Sequence, residues 1–211
     1  MTRLHQFFLG ISITALAACG GGEVPAPGNS AASPASTATP PAAPASADGI
    51  TARAFLEQAL AEARAWQPDA ELVGVSTSLA DGPRNTFWFY DVQSPGQGRC
   101  TRIRALENGD VENVGTGGAC VLMKPVSAGF VDSPAAWQAA RAAGFAGGDS
   151  VQLSLRYQRD AALPEPQPCW VLWSDADGGG QAGLIRGWCV DPASGQFVVR
   201  LSGQGRPDPL Q

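Results

Sequence analysis

The stretch Val151-Gln-Leu-Ser-Leu-Arg-Tyr157 is the part of the sequence that decides the fold. Apolar and polar residues alternate along it, which is typical of a β-strand with one buried face. Its apolar side would consist of Val151, Leu153, Leu155 and Tyr157. A helix is predicted just before it, because Ser133-Pro134 matches an N-cap followed by proline at the first helical position. Gly144 is suited to end that helix in a left-handed conformation.

Outward from this stretch, further strands are predicted by short apolar runs. Cys169–Trp173 and Leu184–Trp188 come next, and a turn at Ser194-Gly195 leads into Phe197–Leu201. The first half of the chain shows the same order. A helix begins near Thr51, strands follow, and Asn108-Gly109 marks a tight hairpin. In this alignment Trp88 corresponds to Trp170, and Gly109 to Gly195.

The sequence therefore predicts an α+β fold made of two repeats, residues 50–125 and 126–203. Each repeat would be one helix packed on a three- or four-stranded antiparallel sheet. One such unit has a thin core, so we expect the two units to pack together and a disulfide to reinforce each. A signal peptide (1–18) and a disordered linker (19–49) would precede them, and a flexible tail (204–211) would follow.

This order of elements resembles the PepSY family, which consists of small exported modules of one helix on a small sheet. The resemblance is carried by the helix that opens each half and by the run Val190-Asp-Pro-Ala-Ser-Gly-Gln-Phe-Val198. That run is similar to the strand–turn–strand that closes the family's fold. In the first half only the glycine and the valine of Leu106–Val111 match. The resemblance implies a binding or inhibitory module without catalytic residues.

The amino-terminal segment has the features of a bacterial lipoprotein signal. Arg3 precedes an apolar stretch, Phe7 to Ala18, that is too short to cross a bilayer as a helix. It ends in Leu16-Ala-Ala-Cys19-Gly20, which matches the lipobox, with Cys19 as the residue that takes the lipid. The alternative is an ordinary signal peptide cleaved at a small-residue site, with Cys19 incidental.

The linker from Gly20 to Gly49 consists almost entirely of Gly, Ala, Ser, Thr and Pro and contains no aromatic residue. Such a segment cannot bury enough apolar surface to fold, so we expect it to tether the folded part to the membrane. Gly20 replaces the Asp that marks inner-membrane retention in enteric bacteria. The predicted location is the outer membrane, facing the periplasm, and the inner membrane is the alternative.

Charge and composition exclude several classes of function. Without Arg3, 13 basic residues stand against 19 acidic ones, and Lys124 is the only lysine. Nucleic-acid binding needs clustered positive charge and is therefore disfavoured. The only histidine, His5, would leave with the signal peptide. The remaining chain then has no histidine for a catalytic triad or a metal site, and we predict neither an enzyme nor a cofactor.

Four cysteines remain, and they form two pairs with equal spacing, Cys100–Cys120 and Cys169–Cys189. An even number in an exported chain favours disulfides. Cys169 begins a predicted strand and Cys189 ends another, with the loop Asp175–Ala182 midway, so a hairpin would bring their sulfurs together. A four-thiolate zinc site is the alternative.

Two further groups of residues are candidate sites. An aromatic cluster could line a ligand or glycan surface if its sheet face is open, or be core if that face is covered. It comprises Trp88, Tyr90, Trp170, Trp173 and Trp188. Asp175 and Asp177, followed by glycines, are a weak calcium candidate, since the later bidentate carboxylate is missing.

The function predicted from these features is that of a lipid-anchored protein of the cell envelope that binds another envelope protein and is not catalytic. A peptidase inhibitor is the runner-up, as the PepSY resemblance implies. The competing prediction is a protein that binds glycans or small ligands on its aromatic sheet face.

Overall fold

The computed structural model describes residues 49–148, 150–174, 187–203 and 206–207. These residues form two helices, α1 (Leu56–Trp66) and α2 (Ser133–Ala142). They also form nine strands: β1 (Glu71–Ala80), β2 (Phe87–Ser94), β3 (Arg99–Leu106), β4 (Val111–Asn113), β5 (Val151–Arg159), β6 (Gln167–Ser174), β7 (Trp188–Val190), β8 (Phe197–Arg200) and β9 (Arg206–Pro207). The predicted signal peptide, the linker up to residue 48 and most of the predicted tail lie outside the described residues.

The strands form one antiparallel sheet in the order β4-β3-β2-β1-β5-β6-β7-β8. Its centre is the pair β1–β5, in which Val75 lies opposite Leu155 and Thr77 lies opposite Leu153. The short strand β9 pairs with Gln158 and Arg159 of β5, on the same edge of β5 as β1. The segment 151–157 therefore lies in the middle of the molecule.

The prediction of two repeats, each with its own three- or four-stranded sheet, is wrong. The helix-and-four-strands order does occur in each half, but the strands of both halves belong to one sheet. Both helices contribute to a single apolar core, in which Leu56 and Ala59 of α1 join Ala136 and Ala140 of α2. The two halves are joined edge to edge and do not stack face to face.

Edge-to-edge joining has a physical cause in the lengths of β1 and β5. In two separate units each would be a long, apolar edge strand with a row of unpaired N–H and C=O groups. Pairing them satisfies those groups and places both helices on the same side of the sheet. Alternation along a strand identifies the buried side chains but contains no information on which edge partner the strand takes.

The core between helices and sheet contains large aromatic side chains whose polar atoms bond to the backbone. Trp88 Nε1 donates to the Ile50 carbonyl at 2.9 Å, and Tyr90 Oη donates to the Ala52 carbonyl at 2.9 Å. In the second half Trp170 Nε1 donates to the Val131 carbonyl at 2.9 Å. These bonds hold the segments that lead into the two helices against the sheet.

The helix ends agree with the sequence in part. The first helix, α1, begins at Leu56 without a side-chain cap, later than the predicted start near Thr51. At α2 the cap is Asp132, whose carboxylate accepts from the Ser133 N–H. Ser133 instead bonds across to the first half, accepting from Ala52 N–H and donating to the Pro83 carbonyl. The left-handed Gly144, at φ +96°, ends α2 as predicted.

Both predicted disulfides are confirmed. Cys100–Cys120 and Cys169–Cys189 have Cα–Cα distances of 5.8 and 5.2 Å. Both lie on the sheet face that points away from the helices, which we call the outer face. Their surroundings differ. Cys169 and Cys189 are fully buried, whereas Cys120 is exposed.

Candidate ligand pocket on the outer face

The outer face has two halves of different character. Over β6, β7 and β8 it is closed by a second apolar cluster, which we call the covered half: Leu163, Cys169, Val171, Cys189 and Leu201, with Trp173 and Val199 partly buried beside them. Over β1, β2 and β3 most outward residues are polar, charged or half-exposed, and we call this the open half.

Four of the five aromatic residues singled out from the sequence lie in the core beneath the helices. Trp88, Tyr90 and Trp170 have no exposed surface, and Trp188 has 4%. They face the helices and not the outer face, so they offer no surface to a ligand. Only Trp173 lies on the outer face, half-buried in the covered half.

A cavity of about 310 Å³ lies in the open half, between the centre of the sheet and the segment that follows β4. Its volume is near the lower end of the range of small-molecule sites. Strands β1, β2, β3 and β5 all contribute to it, and its surface is mostly apolar. The lining residues that matter for its chemistry are Gly74, Ser76, Asp91, Met123 and Arg156.

Gly74 makes room for this pocket. It pairs with Asp91 of β2 beside an irregularity in β1, where the register shifts between Leu72 and Gly74. A Cβ atom at residue 74 would lie 3.3 Å from the Leu155 carbonyl oxygen and 3.5 Å from Asp91 Oδ2. A larger side chain there would therefore project into the cavity.

One wall of the pocket is the segment after β4, and two kinds of bond fix it. The Gln93 side chain donates to the Met123 carbonyl at 2.8 Å and accepts from the Met123 N–H at 2.7 Å. The disulfide from Cys100 ties Cys120 of the same segment to β3. Because Gln93 is buried, these bonds are protected from water. Met123 is thus held as a fixed rim of the cavity.

Two charged side chains, Asp91 and Arg156, line the pocket, and Arg102 lies beside them as the ion-pair partner of Asp91. Arg102 Nε donates to Asp91 Oδ1 at 2.6 Å, and the Arg102 guanidinium lies 5.0 Å from the centroid of the Phe89 ring. Arg156 of β5 lines the cavity from the other side and is half-buried. Burial lowers the pKa of the Arg156 guanidinium, Asp91 raises it and Arg102 lowers it, with a net decrease. Arginine keeps its charge despite such a shift.

This arrangement can bind but is poorly suited to proton transfer. Asp91 and Arg156 line the pocket and Arg102 pairs with Asp91, so these three groups together carry a net charge near +1. A guanidinium donates hydrogen bonds and does not act as a base near neutral pH. The carboxylate is already engaged by Arg102. The pocket therefore has the chemistry of an electrostatic binding site with apolar walls.

Sequence reasoning assigned no role to either arginine or to Asp91. A signal was present, because Arg102 and Arg156 occupy strand positions whose neighbours on either side face the core. A charged residue at such a position must face outward. What the sequence does not show is that β3 and β5 lie close enough for these side chains to flank one cavity.

The remaining sequence-predicted sites lie outside the described residues. These are the lipidation residue Cys19 and the calcium candidates Asp175 and Asp177. Within the described part of the chain no cluster of three or more Cys, His, Asp or Glu residues could hold a metal ion. Neither of the two described helices has the length and apolar character needed to cross a membrane.

Comparison with known proteins adds no relative. No family model matches the chain, and neither the curated proteins nor the solved structures contain a match. The PepSY and lipoprotein resemblances therefore rest on the residues quoted above.

Proposed function

We propose that this chain is a lipid-anchored binding protein of the bacterial cell envelope that takes a small ligand in the outer-face pocket and does no chemistry on it. The observation that carries this proposal is the cavity beside Gly74, with charged groups on opposite sides and a rim fixed by Gln93 and a disulfide. A pocket whose wall is held in place before the ligand arrives loses little entropy on binding.

The proposed location is supported by the two disulfides and by the lipobox. Disulfides persist in oxidising compartments such as the periplasm. Cys19 would carry the lipid, and two or three acyl chains anchor a protein where one would not. We expect Cys19→Ala to move the protein from the membrane fraction to the supernatant, and density-gradient fractionation would separate outer from inner membrane. A variant that stays with the membrane would contradict lipid anchoring at this residue.

Binding at the pocket can be tested by saturation-transfer NMR with the full-length lipoprotein in a nonionic detergent. The screen would use small neutral, cationic and anionic compounds. Gly74→Val fills the cavity, while Gly82→Val is a matched control because a Cβ at residue 82 meets no atom within 4 Å. We expect at least one compound to bind the wild type and Gly82→Val but not Gly74→Val. If no compound of any charge distinguishes the two variants, the pocket is not a binding site.

A second candidate function is binding of a protein partner, and the edge strand β8 favours it. Phe197 and Val198 are 40% and 38% exposed, and β8 ends the sheet among the described residues. An exposed edge strand can accept a strand from another chain, in the manner of β-strand addition. Val198→Pro would remove a backbone donor from this edge. Loss of photo-crosslinks from Phe197 in that variant, with the pocket intact, would favour this candidate.

A further inference from the structure

Arg156 has an unusual position for an arginine. It lies on the central strand β5, half-buried, and lines the pocket. Within the described residues its guanidinium makes neither a hydrogen bond nor an ion pair. A guanidinium has five N–H donors, and those of Arg156 are not fully buried, so water or a ligand can reach them. The wall of the pocket therefore carries a cation whose donors a ligand could bind.

Asp91 is not the hydrogen-bonding partner of Arg156. Its Oδ1 accepts a 2.6 Å bond from Arg102, and the stacking of Arg102 on Phe89 keeps that pair in place. Asp91 acts on Arg156 only through its charge. One carboxylate thus faces two guanidinium groups, and the site is short of one negative charge. A monoanion would neutralise it, whereas a dianion such as phosphate would leave an excess of negative charge next to Asp91.

The remaining lining of the cavity favours a ligand with an apolar body. Val73 and Met123 line it, and the cavity extends about 310 Å³ between the sheet and its rim. An inorganic anion would leave most of this space unfilled. An organic anion would bury apolar atoms against the sheet and the methionine while its charged end meets the arginine.

We propose that the pocket binds a small organic monocarboxylate whose carboxylate pairs with Arg156 and whose apolar body lies along β1 beneath Met123. This inference rests on the proposed binding function and specifies its ligand. Planar carboxylate and planar guanidinium match as a bidentate pair, which gives orientation as well as affinity.

Three probes with the same apolar body test the proposal: 4-phenylbutanoate, 4-phenylbutanol and 4-phenylbutyl phosphate. Each would be titrated by calorimetry into the full-length lipoprotein in nonionic detergent, with a detergent blank. We expect the carboxylate to bind at least about 10-fold more tightly than the alcohol, since a charge-assisted pair contributes that much or more. We also expect it to bind more tightly than the phosphate.

Variants assign the effect to Arg156. Arg156→Gln should weaken 4-phenylbutanoate about 10- to 100-fold, and Arg156→Lys should give an intermediate affinity because the charge remains but the planar fork is lost. Arg104→Gln is the matched control. Arg104 lies on the outer face of β3, but it pairs with Glu112 and does not line the cavity. Thermal unfolding of each variant shows whether it is folded.

The outcomes separate this inference from the proposed function. Equal binding of alcohol and carboxylate, with both lost in Gly74→Val, would overturn the carboxylate assignment and leave the pocket as a binding site. Tighter binding of the phosphate, or unchanged affinity in Arg156→Gln, would also overturn it. If none of the three probes binds while other compounds in the NMR screen do, the carboxylate assignment fails alone. If nothing binds at the pocket, both fail.

Discussion

Strands β2 and β6 occupy equivalent places in the two halves of the chain, yet their outer sides differ. Both direct a tryptophan into the core, Trp88 and Trp170, whose rings meet edge to face at 6.1 Å. In β2 burial then alternates through Phe87–Asp91, and the outward side chains stay half-exposed. In β6 every residue from Cys169 to Leu172 is buried, because the covered half closes over its outer side.

This difference between the outer sides of β2 and β6 indicates where a binding site could form. A sheet with a second apolar layer gains stability but has no accessible surface. In the covered half the loop carrying Leu163 and the disulfide Cys169–Cys189 supply that layer. In the open half the corresponding disulfide, Cys100–Cys120, instead fixes a rim and leaves a cavity behind it. The covered half stabilises the sheet, and the open half leaves a cavity in which a ligand could bind.

The largest expected difference between the halves comes from removing each disulfide. The sequence separation is 20 in both, so loss of the cross-link costs about 3 kcal/mol of chain entropy in each case. Cys169→Ala/Cys189→Ala also opens the buried apolar layer, and we expect a total near 5 kcal/mol. Cys100→Ala/Cys120→Ala should stay near 3 kcal/mol. Urea unfolding measures both, and equal losses would contradict the distinction between covered and open halves.

The next effect compares one apolar residue over each half. Leu163 is 7% exposed in the covered half, and Leu163→Ala should reduce the free energy of unfolding by about 2–3 kcal/mol. Met123 is half-buried at the pocket rim, and Met123→Ala should cost less than about 1 kcal/mol. A larger loss at Met123 than at Leu163 would mean that the rim, and not the covered half, holds the sheet.

Removing single charges from the open half should change the free energy of unfolding by small amounts of opposite sign. Asp91→Asn leaves two guanidinium groups without their carboxylate and should destabilise the fold by about 1 kcal/mol. Arg156→Met removes a half-buried cation without hydrogen-bond partners among the described residues, so it should be neutral or stabilising by a similar amount. Chemical denaturation of the two variants, with Arg104→Met as the surface control, checks the signs. Destabilisation in Arg156→Met would show that this guanidinium has an internal partner.

The smallest effect concerns acid pH at the border of the covered half. Burial raises the pKa of Asp160, but hydrogen bonds from Ala162, Ser202 and Gly203 outweigh it, and the pKa lies below its ordinary value of 3.8. A carboxyl group whose pKa is lowered in the folded state stabilises the protein at pH values above its ordinary pKa. This contribution is lost as the pH falls through the pKa of the folded state.

We therefore expect the stability difference between wild type and Asp160→Asn to be constant near neutral pH and to shrink below about pH 4. Unfolding curves from pH 7 to pH 2.5 would show it. Asp69 has a lowered pKa as well, from bonds to Ser94 and Gly96, but it lies at an exposed site, so Asp69→Asn should change less. A difference for Asp160→Asn that grows as the pH falls would contradict the assigned direction.

Local features of the fold could be predicted from sequence because they depend on neighbouring residues. The alternation in 151–157 specifies a strand with Val151 and Leu153 inward, and both are fully buried. The turn glycines Gly109 and Gly195 have φ values of +94° and +72°, which side chains with a Cβ rarely adopt. The spacing of the cysteines identified both disulfides. Even the covered half has a local signal, since the uninterrupted apolar run Cys169–Trp173 is typical of a strand buried on both sides.

Tertiary structure alone decided the rest. Whether β1 pairs with β5 or each remains an edge depends on hydrogen bonds between residues about 80 positions apart, and no local pattern encodes that choice. The same pairing brings Arg156 to the cavity that Gly74 and Asp91 open on the neighbouring strands. The sequence thus determined which side chains point outward, because that follows from the period of a strand. Which of them meet was settled only by how the strands lie side by side.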